Sequence, residues 1–144
     1  MKLLSEFREQ VSQLGTLKRV WLTSFNLSVK FIESHLLPII VDMDPPKNLM
    51  DYESYQKELI DKSIDFKVFC DKRMMNSFDT KRTSINVYGV SPRSLEYFSE
   101  KSLFHPKVIY LEDIHGQAIL GTGSANLTLS GWGRNQEVFT FLKV

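Results

Sequence analysis

Two periodicities take turns along the first two thirds of this chain, and their alternation restricts it to a sheet with helices packed against it. Residues 18–25, KRVWLTSF, alternate Val20 and Leu22 with Trp21 and Thr23 in a β-favouring composition, which predicts a strand. Before it, Leu3, Leu4, Phe7, Val11 and Leu14 recur at helical spacing, so the first 15 residues predict an amphipathic helix stopped by Gly15. After it, Asn26 and Ser28 offer N-cap oxygens to a helix through VKFIESHLLPII, which Pro38 should bend or divide. The Pro pair in DMDPPKN predicts a loop, and LMDYESYQKELIDKS predicts a helix with Met50, Tyr55 and Leu59 on its apolar side. DFKVFCD and INVYGVS then predict two more strands, with the polar, basic loop CDKRMMNSFDTKRTS between them and Pro92 closing the second. The expected class is α/β: a mixed β-sheet with helices on its faces.

A chain of 144 residues has the size of one domain, so a single domain over residues 1–144 is expected. Its 42% hydrophobic and 24% charged residues are ordinary for a globular protein and remove the disordered and fibrous classes. A net charge of +1 argues against broad, histone-like binding of nucleic acid but permits a local basic patch. Cys70 is the sole cysteine, so no intrachain disulfide can form and a Cys-based zinc site lacks ligands. A reducing compartment fits that usage. MKLLSEFREQV has no apolar core of signal-peptide length, and no stretch reaches the roughly 18 apolar residues of a membrane helix. The expected location is the cytoplasm. No internal repeat is evident.

The final third carries polar groups that packing does not call for. LFHPKVIYLE and QAILGTGSAN flank the turn-forming DIHG and predict a hairpin, with QEVFTFLKV a further strand beyond SGWGRN. Within the first run His105 and Lys107 share a face with Ile109 and Leu111. A turn centred between Ile114 and His115 sets Lys107 opposite Thr122 and His105 opposite Ser124, which brings Ser124 and Asn126 onto that face. The cluster then holds a titratable nucleophile, a fixed cation, a hydroxyl and a carboxamide, with Gly121 and Gly123 allowing close backbone approach. Such a set suits a phosphate: Lys107 brings charge, Ser124 and Asn126 bring neutral donors, and His105 is left to react. A metal would ask for more carboxylates or imidazoles, so no metal and no cofactor are expected. Glu137, alone in an apolar neighbourhood, is the acceptor expected to orient His105.

His105-Pro-Lys107, then Gly123-Ser124-Ala125-Asn126, then Glu137 resembles the catalytic motif of the phospholipase D superfamily, H-x-K followed by an Asp and by G-S-x-N. The likeness is greatest to its nucleic-acid-cleaving branch of single-motif endonucleases, restriction enzymes and helicase-attached domains. GSANLTLSGWGRNQE is especially similar to that branch, and VWLTSFNLSVKFIESHLLP looks like the opening strand and helix of such domains. The chain departs from the pattern at position 112, where Glu stands in place of Asp and Asp113 follows one step later. Its Lys107-to-Ser124 spacing is also longer than in the shortest members, as in the tyrosyl-DNA phosphodiesterase branch, which lacks the Asp. The resemblance implies a metal-independent, two-step phosphodiester cleavage. His105 would attack phosphorus and form a phosphohistidine, a second His would protonate the leaving oxygen, and Lys107 and Asn126 would stabilise the phosphoryl oxygens.

Neither His35 nor His115 begins another H-x-K, so the second His must come from a homodimer partner or from another half of a longer protein. The implied partner is nucleic acid, with DNA favoured over RNA. Lys72, Arg73, Lys81, Arg82 and Arg134 are candidate backbone contacts, although a solvated loop accounts for each slightly better. Trp132 is a candidate for stacking on a base or, equally, for plugging a sheet edge. His115 is read as turn chemistry, and Ser24 and Asn26 are candidates to border the site, with helix capping explaining Asn26 equally well. Two other functions use the same residues: a phospholipid phosphodiesterase, and a non-catalytic assembly domain in which the motif persists without its second His.

Overall fold

The computed structural model of the chain describes residues 2–75, 85–91, 103–134 and 137–144. Six strands form one mixed sheet: β1 (Leu17–Ser24), β2 (Asp65–Asp71), β3 (Asn86–Val90), β4 (Val108–Asp113), β5 (Ala118–Gly123) and β6 (Phe139–Lys143). Their order across the sheet is β3-β2-β1-β4-β5-β6. β1, β2 and β3 run parallel, whereas β4, β5 and β6 are each antiparallel to the strand before them in that order. The α/β class and mixed sheet expected from the sequence are therefore those observed. The strands expected over residues 65–71 and 85–91 are found at Asp65–Asp71 and Asn86–Val90.

Alternation decides which side of β1 is buried: Val20 and Leu22 are fully enclosed, and Trp21 and Thr23 point the other way. Against the buried side lie α1 (Lys2–Ser12), through Leu3 and Phe7, and α4 (Leu49–Asp61), through Tyr55 and Leu59. α4 begins at a reciprocal cap in which Asn48 accepts the Asp51 amide while the Asp51 carboxylate accepts that of Asn48. Met50 does not join the apolar side as expected; it is 73% exposed, and Tyr52, three positions before Tyr55, packs instead. The reason is angular, since a helix brings positions 52, 55 and 59 to one stripe and turns position 50 away from it.

Pro38 acts as the sequence implied. The helix that leaves β1 starts as α2 (Val29–Phe31), capped by Ser28, whose hydroxyl accepts the Phe31 amide at 3.2 Å. It widens to a π-helical turn over Ile32–Leu36 and resumes as α3 (Leu37–Val41) with Pro38 in its first turn. The ring of Pro38 lacks the N–H that an uninterrupted helix would use and crowds the preceding turn, and the wider turn accommodates it. Beyond Met75, most of the basic loop expected after β2 lies outside the described residues, as does Pro92.

The β4–β5 hairpin exists, but its register differs by one residue from that expected. Val108 pairs with Thr122 and Glu112 with Ala118, so Lys107 falls level with Gly123, whose N–H donates to the Lys107 carbonyl at 3.2 Å. The connection has three residues rather than two. Asp113 and Gln117 close it, and Gly116 takes a φ of +82°, the left-handed position that a three-residue hairpin loop requires. Gly121 and Gly123 serve the sheet rather than a ligand. A Cβ on Gly121 would meet the Phe141 ring at 2.6 Å, and one on Gly123 would collide with the Val138 carbonyl and Phe139.

Candidate active site

The end of β1 is the platform on which the motif residues assemble. Phe25 lies against the imidazole of His105, ring centroids 5.0 Å apart. On either side of it, Ser24 and Asn26 take hold of Asn126: its amide oxygen accepts from the Ser24 hydroxyl at 3.1 Å and from the Asn26 backbone N–H at 3.3 Å. A backbone N–H can only donate, so the oxygen of the Asn126 carboxamide must face β1 and its NH2 must face away. Segments distant in sequence meet here because β1 and β5 both run antiparallel to β4, end at the same edge, and bracket the start of that strand. An isolated parallel bridge between Leu27 and Leu127, with the Ser28 amide donating to the Leu127 carbonyl at 2.8 Å, ties the two strand ends together.

Lys107 is the anomalous side chain. It is 6% exposed, and its ammonium lies 2.7 Å from His105 Nδ1, 3.2 Å from Nε2 and 3.2 Å from the His105 carbonyl oxygen. Burial pushes its pKa down from the ordinary lysine value, and the negative charge of Glu137 works in the opposite direction. The two halves of the expected H-x-K pair are therefore in direct contact. Pro106 between them is pinned to β1, since its carbonyl accepts the Thr23 hydroxyl at 2.8 Å and Thr23 accepts the Val108 amide at 2.9 Å.

Glu137 does not orient His105 in the expected way. Among the described residues His105 makes no hydrogen bond to it, and Glu137 acts on the site through its charge on Lys107. Ser124 also departs from expectation. With the register moved by one residue it turns to the segment that leads into β6, where its hydroxyl accepts the Val138 amide at 3.1 Å and its own amide donates to the Val138 carbonyl at 2.9 Å. Trp132 is not available for stacking on a base. It is 3% exposed and packs among Phe7, Phe31 and Phe139, with ring centroids 5.6, 5.7 and 6.3 Å away. Lys72 is exposed in a short 3-10 turn, Lys72–Met74, directly after β2. Arg73 in the same turn is clamped to Asp71 by two guanidinium bonds of 3.0 and 2.9 Å. Lys81, Arg82 and the side chain of Arg134 lie outside the described residues.

Three supports of the site were not foreseen. Asp71, buried at the end of β2, accepts from the Arg73 side chain and backbone and from the Phe104 amide at 2.8 Å, which fixes the chain one residue before His105. These bonds, the Arg73 pair foremost, hold its carboxyl far below the ordinary Asp range. Asp113 is 1% exposed and accepts the amides of Gly15, His115 and Gln117, at 3.0, 2.9 and 2.9 Å. It is the buried structural acid of the hairpin, while Glu112 faces the other way toward Arg19, Lys18 and Tyr110. The third support is a short recurrence that was legible all along: Ser24-Phe25-Asn26-Leu27-Ser28 and Ser124-Ala125-Asn126-Leu127-Thr128. Each copy leaves a strand and caps the helical turn that follows, Ser28 through the Phe31 amide and Thr128 through the Gly131 amide at 3.0 Å. Among the described residues no group of three His, Cys, Asp or Glu side chains is gathered as a metal site.

The mixed six-stranded sheet in this strand order, with helices packed against it, is a fold shared with solved structures. Solved structures that resemble it include those of yeast tyrosyl-DNA phosphodiesterase. A mutant form of that enzyme matches with a TM-score of 0.54 at 15% identity, over 91% of this chain and 26% of the other. Another structure of the enzyme matches at 0.51 and 17%, over 94% and 29%. This chain thus spans less than a third of the length of the structures it matches, and at such identities the likeness is one of fold. No family model and no curated protein matches the sequence.

Proposed function

We propose that this chain supplies one half of a phospholipase D-like phosphodiesterase site acting on nucleic acid, DNA in preference to RNA. The observation that carries the reading is the contact of a buried lysine with a histidine beside a carboxamide whose NH2 edge is turned outward by the end of β1. Packing alone does not favour burying an ammonium, and a phosphoryl group is the ligand that rewards it. In this mechanism a phosphodiester enters, and the Lys107 ammonium shifts from the imidazole to a phosphoryl oxygen, freeing a ring lone pair. That lone pair forms an N–P bond as the P–O bond to the leaving group breaks. A second His, from another copy of this chain or another motif-bearing half, protonates the departing oxygen. The same group then takes a proton from water as its oxygen attacks phosphorus and expels His105. Lys107 and the Asn126 NH2 stabilise the charge on the phosphoryl oxygens through both steps.

Rapid acid-free quenching of the protein with a 5′-labelled or 3′-labelled oligonucleotide tests this reading. The expected product is a protein-linked phosphate that survives alkali, is released by acid, and is absent from a folded His105→Ala variant. A label retained by His105→Ala would reject His105 as the nucleophile.

A further inference from the structure

The Ser24 hydroxyl is wholly enclosed at the end of β1 and lies outside the H-x-K and G-S-x-N sequences, yet three groups of the site converge on it. It accepts the Leu127 amide at 3.0 Å, and it faces both the Asn126 amide oxygen, at 3.1 Å, and the Asn26 carbonyl at closer range. A hydroxyl has one proton and two lone pairs, so Ser24 saturates one lone pair on Leu127 and shares its proton between the two oxygens. The Asn26 amide completes the arrangement by donating to the same Asn126 oxygen. The Asn126 side chain and the backbone amide that follows it are therefore referred to one buried atom. The recurrence of Ser-x-Asn-Leu supports a common device: Ser124, in the second copy, accepts the Val138 amide, next to Glu137. Each serine ties down the segment bearing the next site residue.

We infer that Ser24 is a positioning residue of the phosphate site, holding the Asn126 carboxamide oxygen toward β1 so that its NH2 is presented to a phosphoryl oxygen. The inference rests on reading Asn126 as a phosphate ligand. Ser24 touches no substrate; it acts by denying the carboxamide its flipped orientation, in which an oxygen would meet the phosphate and repel it. Without the hydroxyl, the Leu127 amide loses its buried acceptor and the Asn126 oxygen keeps only the Asn26 N–H.

The experiment is a titration of the full chain with inorganic phosphate, followed through the nitrogen-15 resonances of the Asn126 side-chain NH2. Wild type should show a saturable shift of that pair. Ser24→Thr and Ser24→Val have nearly the same shape and differ in the hydroxyl, so a packing role moves both alike. The expected outcome is phosphate binding within about threefold of wild type for Ser24→Thr and at least about tenfold weaker for Ser24→Val, the loss of roughly one hydrogen bond. Equal phosphate affinity in the two variants, with both folded, overturns the positioning role and leaves the phosphate site standing. If the wild-type Asn126 resonances ignore phosphate, the phosphate-site reading itself fails and the inference falls with it. Should Ser24→Val fail to fold while Ser24→Thr folds, Ser24→Ala takes its place under the same criteria. Ser24→Ala binding phosphate as wild type does would overturn the inference.

Discussion

Lys107 is held in the interior at a cost, and the cost has a sign that can be measured. Because burial lowers its pKa, the protonated form is less stable folded than unfolded. That penalty is present at neutral pH and fades as pH rises from the folded pKa toward the ordinary lysine value near 10.4. Lys107→Met should therefore raise stability at pH 7 by ~1 kcal/mol in denaturant unfolding, with the gain shrinking as pH approaches the ordinary lysine value, while cleavage falls by at least about 100-fold. A variant both less stable and fully active would contradict the account. Asp71 behaves in the opposite sense. Its carboxyl is held below the Asp range, so the stability it provides is complete above its unfolded pKa of about 4 and is lost as pH falls toward the depressed folded value. Asp71→Asn should cost roughly 1–3 kcal/mol at pH 7 and flatten the acid limb of the stability curve, as read by urea midpoints between pH 2 and pH 7. Arg73, its foremost partner, is two residues away, but the tie to the site could not be seen in the sequence around Asp71, because Phe104 is 33 residues away. His105 and Lys107, two residues apart, were legible because a strand's own geometry relates them.

At the scale of elements, strands were read well and their mutual alignment less well. β1 and β2 follow from alternation within single short runs, and the bend in the helix that follows β1 follows from one proline. Hairpin register depends instead on loop length, and DIHG admits both a two-residue and a three-residue turn. The structure takes the longer one, with Gly116 in the left-handed position, and the one-residue difference sends Ser124 to the segment that leads into β6 instead of to His105. Trp132 was ambiguous for a related reason: its neighbours Phe7, Phe31 and Phe139 come from three separate elements, and no local pattern links them. Gly121 offers a direct test of the observed β5–β6 packing. Gly121→Ala should cost roughly 1–3 kcal/mol by thermal or denaturant unfolding, because its Cβ meets the Phe141 ring. Phe141→Leu in the same chain should recover part of that loss. Additive destabilisation by the two changes would place Phe141 elsewhere.

For the whole molecule, the sheet brings one histidine, one buried lysine and one oriented carboxamide to a single edge, and the proposed chemistry needs a second histidine facing them. Among the described residues the other two histidines stand elsewhere: His35 in the π-helical turn, stacked on Phe31, and His115 in the tip of the hairpin. No helix among the described residues is long and apolar enough to cross a membrane. The account therefore makes activity depend on assembly, through a two-fold pair of this chain or a second motif-bearing half. The most direct test is light scattering on the same sample that is assayed for cleavage of single- and double-stranded DNA in EDTA. The prediction is a species of twice the chain mass whose EDTA-resistant cleavage is abolished by His105→Ala without dissociation. A monomer that cleaves DNA at undiminished rate on dilution would contradict the shared two-histidine site.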